Sequence, residues 1–414
     1  MKTQHSSKVS VLFLSWESPW PAQSGGDLRT WGLLRELSRA YPVHLLVLTS
    51  KPLSDRQKAE LGQYAQTITS VQMIGDKTSD KLRILTHMFI RHMPYHCARL
   101  ALSFQRVPEV LKMLRSFPGI VYASYGHWGT LVRGSKASNW ILDQHNADVH
   151  FWRVYASQAN KLELKTAALV NWQLAARHFP LIYRSVGRVV SVCEEDRQLT
   201  LDLAPHAQVD VIENGVDCAY FTPRRTERSG PPRILFTGTS APRNMTALHG
   251  FVKKIFPLIR SQVPDVELLV GGNFSPAAQA EFAGVPNMRF TGRVEDIRPV
   301  FDQSDVFVAP FEETHGSKLK IAEAMAMAMP IVSTPAGIRG FALRENESVL
   351  VAQDSTQFAG HVVALLNDPL RRERLGTAAR QAALTTIDWA VLGKKLMAIV
   401  SSVASANKET SKDV

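Results

Sequence analysis

The stretch that decides the fold is "DVFVAPFEETHGSKLKIAEAMAMAMPIVSTPAG", residues 305–337. "DVFVAP" (305–310) and "IVST" (331–334) are continuous apolar runs of strand length. Between them, "KLKIAEAMAMA" consists of strong helix formers, and Pro330 cannot continue a helix. The stretch therefore predicts a strand, a loop at its carboxyl end, a helix and a second strand.

The same alternation of apolar strands and helices runs along the whole chain, and it predicts parallel sheets covered on both faces. It restarts after the polar segment "TPRRTERSGPP", which is typical of a linker. We therefore expect an α/β protein with two Rossmann-like, doubly wound domains facing across a cleft. The expected parts are an N-terminal domain (1–215), a linker (216–232), a C-terminal domain (233–386), a helix crossing back to the N-terminal domain (387–405) and a disordered tail (406–414).

Composition narrows the class of protein. The chain has 414 residues, 45% hydrophobic and 21% charged, which is typical of a soluble globular protein. No apolar run reaches the roughly 18 residues that a membrane helix needs. The three cysteines have no metal-ligand spacing, so we expect a reducing cytoplasm. The net charge of +11 favours polyanionic partners.

Parallel sheets bind ligands beyond the carboxyl ends of their strands, so the loops there are candidate sites. Gly316 and Ser317 would present backbone N–H groups to an anion at a helix N-terminus, with Lys318 and Lys320 adding positive charge. One turn inside the helix, Glu323 could accept hydrogen bonds from ribose hydroxyls. The alternative, equally weighted, is that the helix only packs on the sheet and its lysines are solvated.

Two further loops also follow the carboxyl ends of predicted strands. After "RILFTG", which ends in Gly238, Arg243 lies near a helix start and Asn244 is a candidate N-cap. The other loop contains Gly25 and Gly26, which would let the backbone approach a ligand closely. No G-x-G-x-x-G follows any strand, which argues against a dehydrogenase.

Several segments, in chain order, resemble the family-4 glycosyltransferases, retaining enzymes of the GT-B fold. The resembling segments are "GGDLRTWGLLREL" (25–37), "VVSVCEEDRQL" (189–199), "VIENGVD" (211–217), "ILFTGTSAPRN" (234–244), "GSKLKIAEAMAMAMPIVSTPAG" (316–337) and "IDWAVLGKKL" (387–396). The resemblance covers nearly the whole chain, and residues 76–118 match nothing in the family pattern.

The resemblance implies a nucleotide diphosphate sugar bound on the second domain and an acceptor on the first. Arg243 and Lys320 would stabilise the charge that grows on the leaving diphosphate. No metal or other cofactor is implied. The residues implied for the donor are Gly25, Gly26, Gly238, Arg243, His315, Gly316, Ser317, Lys318, Lys320 and Glu323. His315 departs from the family pattern, which usually has a glutamate there, whereas Gly316, Lys320 and Glu323 fit a G-x-x-x-K-x-x-E branch.

On the first domain, His145 follows the strand "WILD" where the family often has a histidine near the reaction centre. The resemblance makes it a third candidate catalytic residue beside Arg243 and Lys320. His127 and Arg29 are candidates for the acceptor side. The alternative is that these histidines only cap or pack in their loops.

Residues 80–96, "DKLRILTHMFIRHMPYH", predict a basic amphipathic helix. Such a helix could lie on an acidic membrane surface, yet its stripe more often packs on its own domain, and we favour packing. Nucleic acid is not an expected partner, because no nucleic-acid module occurs.

The expected function is transfer of a sugar, with retention, from a nucleotide diphosphate sugar to a hydroxyl of a glycan or lipid-linked acceptor. Bacterial surface polysaccharide or lipopolysaccharide synthesis is the family-level expectation. The expected location is the cytoplasm, with possible peripheral attachment to the inner face of the membrane. The alternatives are a degenerate nucleotide-sugar-binding scaffold or regulator and a nucleotide-sugar epimerase of the same fold.

Overall fold

Contacts divide the chain into two compact units, Met1–Glu213 together with Gly393–Val414, and Asn214–Leu392. The computed structural model describes residues 9–22, 24–75, 77–159, 161–224, 230–312 and 319–410. Each unit contains one sheet in which every strand pair is parallel. This confirms the prediction of an α/β protein with two doubly wound parallel sheets.

The first unit has a seven-stranded sheet of order β3-β2-β1-β4-β5-β6-β7. Its central strands are buried because helices cover both faces of the sheet, which explains their continuous apolar sequences. The strands are β1 (Val11–Trp16), β2 (Val43–Thr49), β3 (Thr67–Gln72), β4 (Ile120–Ser124), β5 (Ala137–Asp143), β6 (Val186–Ser191) and β7 (Val209–Val211). The helices are α1 (Gly25–Ala40), α2 (Asp55–Leu61), α3 (Thr78–Ile90), α4 (Tyr95–Gln105), α5 (Pro108–Arg115), α6 (Asp148–Gln158), α7 (Leu162–Tyr183) and α8 (Glu194–Leu203).

Two features of the first unit differ from the sequence predictions. Strand β3, with sequence "TITSVQ", is absent from the predicted strands; it is an edge strand whose residues are mostly exposed, so it lacks an apolar run. Helix α3 forms as predicted, but Leu82, Leu85 and Phe89 are exposed. Our preference for packing of that stripe is therefore wrong for these three side chains.

The second unit has a six-stranded sheet of order β10-β9-β8-β11-β12-β13, with one large apolar core. Its strands are β8 (Arg233–Thr237), β9 (Glu267–Gly271), β10 (Met288–Gly292), β11 (Val306–Ala309), β12 (Ile331–Ser333) and β13 (Leu350–Val351). Its helices are α9 (Pro242–Gly250), which continues through a π-helical turn (Phe251–Ile255) into α10 (Phe256–Arg260), then α11 (Pro276–Ala280), α12 (Arg298–Asp302), α13 (Leu319–Ala326), α14 (Ser355–Asn367) and α15 (Pro369–Thr386).

The start of the predicted linker is packed into the second unit. Val216 is buried, and its N–H donates to the carbonyl of Ile387 over 2.9 Å. Arg380 donates to the carbonyls of Cys218 and Phe221. The prediction of a linker over 216–232 is therefore wrong for residues 216–222, because their backbone groups are bonded within the unit.

The last helix, α16 (Trp389–Thr410), is longer than predicted. Residues 406–410 are helical, so the prediction of a disordered tail from residue 406 is wrong for them. Within the first unit, Lys395 bonds Glu213 and Asn407 bonds Ser138. Among the described residues, only this helix is long and apolar enough to span a membrane. Of its apolar segment, Trp389–Asn407, 39% is buried in the protein. A partly buried helix that bonds its own unit in this way is weak evidence for a span.

Candidate functional site

Both sheets reverse their strand order at one place, and the candidate residues follow the strands there. In the first unit the reversal falls between β1 and β4, and in the second between β8 and β11. A reversal leaves a crevice at the carboxyl ends of the two strands, where ligands of doubly wound folds bind. The site of each unit is therefore built from the loops after its two central strands.

In the second unit, Lys320 is anchored over the loop that follows β8. Its ammonium Nζ donates to Oδ1 of Asn244 over 2.6 Å. The same ammonium lies 4.9 Å from the ring centroid of Phe311, which follows β11, and 5.6 Å from that of Phe236. The hydrogen bond and the aromatic faces fix a positive charge at the crevice.

Asn244 does not cap α9 as the sequence suggested. The helix begins at Pro242 after Ala241, so Asn244 lies inside the first turn. Its side-chain amide donates to the carbonyl and the hydroxyl of Thr239, at 3.1 and 3.2 Å. Asn244 therefore ties the loop to the helix and presents its oxygen to Lys320.

Glycine lets the loop after β8 lie close to its neighbours. A Cβ on Gly238 would stand 3.2 Å from Cγ of Asn244, and one on Gly272 would stand 2.1 Å from the carbonyl oxygen of Gly238. Gly238 also donates its N–H to the carbonyl of Gly271 over 2.9 Å. Its role in the structure is close packing of two post-strand loops.

Glu323 lies one turn after Lys320 on α13 and is partly buried. Burial raises the pKa of its carboxyl to about 7, and the charge of Lys320 opposes that shift. A carboxyl whose pKa lies near neutrality changes its charge easily when a ligand donates hydrogen bonds to it.

The C-terminal end of α13 is fixed by backbone and side-chain hydrogen bonds. The helix ends at Ala326, and Met329 donates its N–H to the carbonyl of Ala324. Ala328 takes the left-handed conformation that this closure requires, with a φ of 50°. Arg380 donates to the carbonyl of Ala326. These contacts hold the helix that carries Lys320 and Glu323.

Arg243 lines a cavity of about 300 Å³ in the second unit. Phe311 and Thr334 contribute from the loops after β11 and β12, and Asp354 and Phe358 from the start of α14. This volume is at the lower end of the range for small-molecule sites. Phe311 thus contributes both to this cavity and to the contact with Lys320. The predicted residues His315, Gly316, Ser317 and Lys318 lie outside the described residues.

The site of the first unit is centred on a buried ion pair between Arg29 of α1 and Asp143 at the end of β5. The guanidinium Nη2 lies 2.5 Å from Oδ1 of Asp143, and both side chains are almost fully buried. Arg29 also donates to the carbonyls of Ile212 and Glu213. The sequence made Arg29 a candidate for the acceptor side. In the structure its side chain is buried, and its guanidinium holds Asp143 and the chain segment after β7.

Asp143 in turn positions His145. The ring Nε2 lies 3.3 Å from Oδ2 of Asp143 and 3.0 Å from the hydroxyl of Ser124 at the end of β4. Burial alone would raise the pKa of Asp143, but the charge of Arg29 and the hydrogen bond from His145 hold it at about 2. Burial also lowers the pKa of His145, with Asp143 opposing the shift. A neutral His145 bonded through Nε2 has its other ring nitrogen, Nδ1, buried without a hydrogen-bond partner.

Gly26 is required where α1 meets His145. A Cβ at this position would stand 2.2 Å from the hydroxyl oxygen of Tyr125 and 3.1 Å from Nδ1 of His145. Ser24 and Asp27 form a capping box, which fixes the start of α1 at Gly25. The two glycines are therefore helical residues, and Gly26 allows α1 to approach the histidine.

His96, His127 and Asp148 form a cluster of titratable side chains in the same unit. The rings of His96 and His127 stack with centroids 5.2 Å apart, and Trp16 at the end of β1 packs edge-on against both. Nδ1 of each histidine and Oδ2 of Asp148 are buried without a hydrogen-bond partner. Burial, reinforced by the charge of Asp196, raises the pKa of Asp148 to about 7. Such buried polar atoms are where a ligand's hydroxyl groups would gain most.

Sequence reasoning missed Asp143, Asp148, Ser124 and Trp16. The available signal was their position, because each follows or ends a predicted strand on the same sheet edge. His96 belonged to a basic stretch without a recognisable motif. In the part of the chain that the structure describes, no group of three or more His, Cys, Asp or Glu side chains could hold a metal ion.

Comparison with known proteins shows similarity to glycosyltransferases. Residues 231–368 match the family model described as "Glycosyl transferases group 1". The chain is 21% identical over 371 residues to an uncharacterized 44.6 kDa protein in the cps region of Klebsiella pneumoniae, which covers 86% of this chain and 90% of that protein. It is 28% identical over 242 residues to a phosphatidyl-myo-inositol mannosyltransferase of Mycobacterium tuberculosis, which covers 55% of this chain and 62% of that protein.

Solved structures agree at the level of the fold. Sucrose-phosphate synthase from Thermosynechococcus elongatus superposes with a TM-score of 0.69 at 17% identity, covering 96% of this chain and all of that one. Anabaena Alr3699/HepE, in complex with UDP and glucose, superposes with a TM-score of 0.63 at 12% identity, covering 95% and 100%. The solved structures share their fold with this chain, which confirms the predicted GT-B architecture. The family-model match over residues 231–368 supports the resemblance seen in the sequence.

Proposed function

We propose that this protein is a glycosyltransferase and that it takes its sugar from a nucleotide diphosphate sugar bound by the second unit. The observation that carries the proposal is the anchored ammonium of Lys320, with Glu323 one turn further along the same helix. Lys320 and Arg243 would stabilise the diphosphate as it leaves, and Glu323 would accept hydrogen bonds from the ribose hydroxyls. UDP bound to a protein of the same fold supports this class of donor.

The segment 315–318 immediately precedes α13, and we assign Gly316, Ser317 and Lys318 to the diphosphate and His315 to the donor sugar. Gly238 completes the proposed set of donor-binding positions on the second unit. The assignment of Gly25 and Gly26, which lie on the first unit, to the donor stays a prediction from the sequence. The transfer needs no metal or other cofactor in this proposal, because Lys320 and Arg243 supply the positive charge that a metal would supply elsewhere.

The acceptor is a hydroxyl of a glycan or lipid-linked sugar, bound by the first unit. Nδ1 of His127 and Nδ1 of His145 are buried without a hydrogen-bond partner, although the first lies 3.6 Å from Oδ1 of Asp148. Both support this assignment, since each could bond a sugar hydroxyl. His145 is the candidate catalytic residue on this unit. We propose that transfer proceeds with retention and serves synthesis of a bacterial surface polysaccharide, in the cytoplasm or at the inner face of the membrane. The relative from a cps region supports this setting.

The first experiment is a thermal-shift titration with UDP, GDP and ADP. The proteins compared are the wild type, Lys320→Ala, Glu323→Gln and the control Lys253→Ala, which changes an exposed lysine of the same unit. We expect one nucleotide to raise the Tm of the wild type and the control, and to leave the two site variants unchanged. Equal shifts in all four proteins would place the nucleotide elsewhere and overturn the assignment.

The second experiment measures transfer from sugar conjugates of the responding nucleotide. The anomeric configuration of the product, read by NMR, tests retention. Tight nucleotide binding with no transfer to any glycan or lipid-linked acceptor would favour a scaffold or regulatory protein of the same fold, and an epimerised sugar nucleotide would favour an epimerase.

A further inference from the structure

Helix α3 exposes large apolar side chains to an unusual degree. Leu82, Leu85, Phe89 and Ile90 are 67%, 46%, 59% and 69% exposed. Soluble proteins rarely leave a contiguous apolar surface of this kind open unless it binds a partner or a membrane.

Helix α3 also has a side that faces the core, so its outer apolar side chains are additional to those that pack. Ile84 and Met88 are buried in a small apolar cluster with Leu102 of α4 and Leu174 of α7. At about 100° per residue, Leu82 and Phe89 lie about 100–160° around the helix from these two residues, and Leu85 lies between the two groups. Helix α3 is therefore apolar on two faces, of which the core uses one.

Basic side chains border the outer apolar arc of α3. On the same helical projection, Lys81 lies on one side of the arc and Arg83 on the other, and both are exposed. Asp80, the acidic residue of α3, is buried and paired with Arg106. Between residues 81 and 115 the chain has seven Lys and Arg residues and one acid, Glu109. An apolar ridge with bases on both sides complements the headgroup and acyl boundary of an anionic bilayer.

The adjoining helices add a second exposed apolar strip. Near the start of α7, Leu162, Leu164 and Leu169 are exposed, the first by 79%. Lys161 and Lys165 are exposed beside them. Val170 of α7 packs against the same cluster as the inner face of α3. The two strips therefore belong to one layer of helices.

We propose that the outer face of α3 (Leu82, Leu85, Phe89 and Ile90, with Lys81 and Arg83) binds the surface of an anionic lipid bilayer. The apolar side chains enter the boundary between headgroups and acyl chains, and the lysine and arginine contact lipid phosphates. A second copy is a poorer occupant, because pairing this face with itself opposes like charges.

The binding needs neither sugar donor nor acceptor, so its test is separate from that of the proposed function. Full-length protein is sedimented with vesicles of phosphatidylcholine alone or mixed equally with phosphatidylglycerol. The apolar variant is Leu82→Ser/Phe89→Ser/Ile90→Ser. Its control is Leu370→Ser, since Leu370 is 74% exposed on the second unit. The charge variant Lys81→Glu/Arg83→Glu is matched by Lys253→Glu/Arg374→Glu, two exposed bases of the second unit.

We expect the wild type and both controls to bind phosphatidylglycerol vesicles at least tenfold more strongly than phosphatidylcholine vesicles. Both α3 variants should lose at least tenfold in the partition coefficient, with circular dichroism showing that they remain folded. In a second measurement, the tryptophan emission of Phe89→Trp should shift to the blue on adding phosphatidylglycerol vesicles, and that of Leu370→Trp should not.

Equal binding to both vesicle types, or unchanged binding of the α3 variants, would overturn the proposal. So would a dimer of the wild type in sedimentation velocity that the apolar variant dissociates, because the face would then be an interface between copies. The Phe89→Trp measurement keeps the test decisive if the triple variant fails to fold.

Discussion

The two units place charged side chains after equivalent strands but surround them differently. In the first unit, the charge of Arg29 is neutralised by a buried carboxylate, and two carbonyls accept its remaining hydrogen bonds. In the second unit, Lys320 is bonded to the neutral amide oxygen of Asn244 at the edge of a crevice. The first arrangement stabilises the protein's own structure, and the second holds a positive charge beside the loop after β8. Substitutions should therefore reduce stability in one unit and binding or turnover in the other.

The largest effect is expected for Arg29→Met. Removing one partner leaves the Asp143 carboxylate buried without its counter-charge, which costs about 3–5 kcal/mol in the free energy of unfolding. Denaturation by urea measures the loss. The matched control is Arg344→Met, which breaks an ion pair with Glu347 on the surface and should cost no more than about 1 kcal/mol. Similar losses in both variants would remove the distinction between the units.

The next effect is expected for Lys320→Met, and it is on turnover. Loss of a positioned cation should lower kcat by about 100- to 1,000-fold, while the free energy of unfolding changes by only about 1 kcal/mol. Steady-state kinetics with the responding sugar nucleotide, beside urea denaturation, separates the two quantities. Lys253→Met serves as the exposed control. A loss of stability as large as that of Arg29→Met would make Lys320 a structural residue.

Gly26→Ala tests the close approach of α1 to His145. The added Cβ would collide with the hydroxyl of Tyr125, so we expect a loss of about 1–3 kcal/mol in the free energy of unfolding. Adding Tyr125→Phe should restore part of it, because the colliding atom is removed. Gly360→Ala, in α14 with open space around it, should instead be neutral or stabilising. No recovery in the double variant would contradict the contact with Tyr125.

The smallest effect is the pH dependence of nucleotide binding through Glu323. Its carboxyl has a pKa of about 7, and the ribose hydroxyls should bond the ionised form. The ionised fraction rises from about one tenth at pH 6 to nine tenths at pH 8, so Kd should fall about tenfold over this range. Isothermal titration calorimetry across this range measures it, and Glu323→Gln should flatten the profile. A wild-type profile as flat as that of the variant would exclude this role.

The same group affects stability with the opposite sign. Because the folded state holds the Glu323 proton up to about pH 7 and the unfolded state releases it near pH 4.5, the free energy of unfolding should fall as the pH rises between these values. The difference between wild type and Glu323→Gln isolates this contribution in urea denaturation.

The sequence predicted the sheets well because buried parallel strands are continuous apolar runs. It failed at β3, where an edge position permits the polar pattern "TITSVQ". It placed Lys320 and Glu323 on one helix, because strong helix formers surround both. It gave Arg29 the wrong surroundings, since the carboxylate that neutralises it is 114 positions away in the chain.

By itself, the sequence determined the order of the apolar strands, the class of fold and the helix that carries the candidate donor residues. All of these follow from local sequence patterns, namely the spacing of apolar residues, helix-capping residues and residues that end a helix. Tertiary structure decided which charges are neutralised in the interior, which histidines stack, and that the apolar stripe of α3 faces outward. Those outcomes depend on which surfaces meet, and a helix with two apolar faces does not encode locally which one its neighbours will cover.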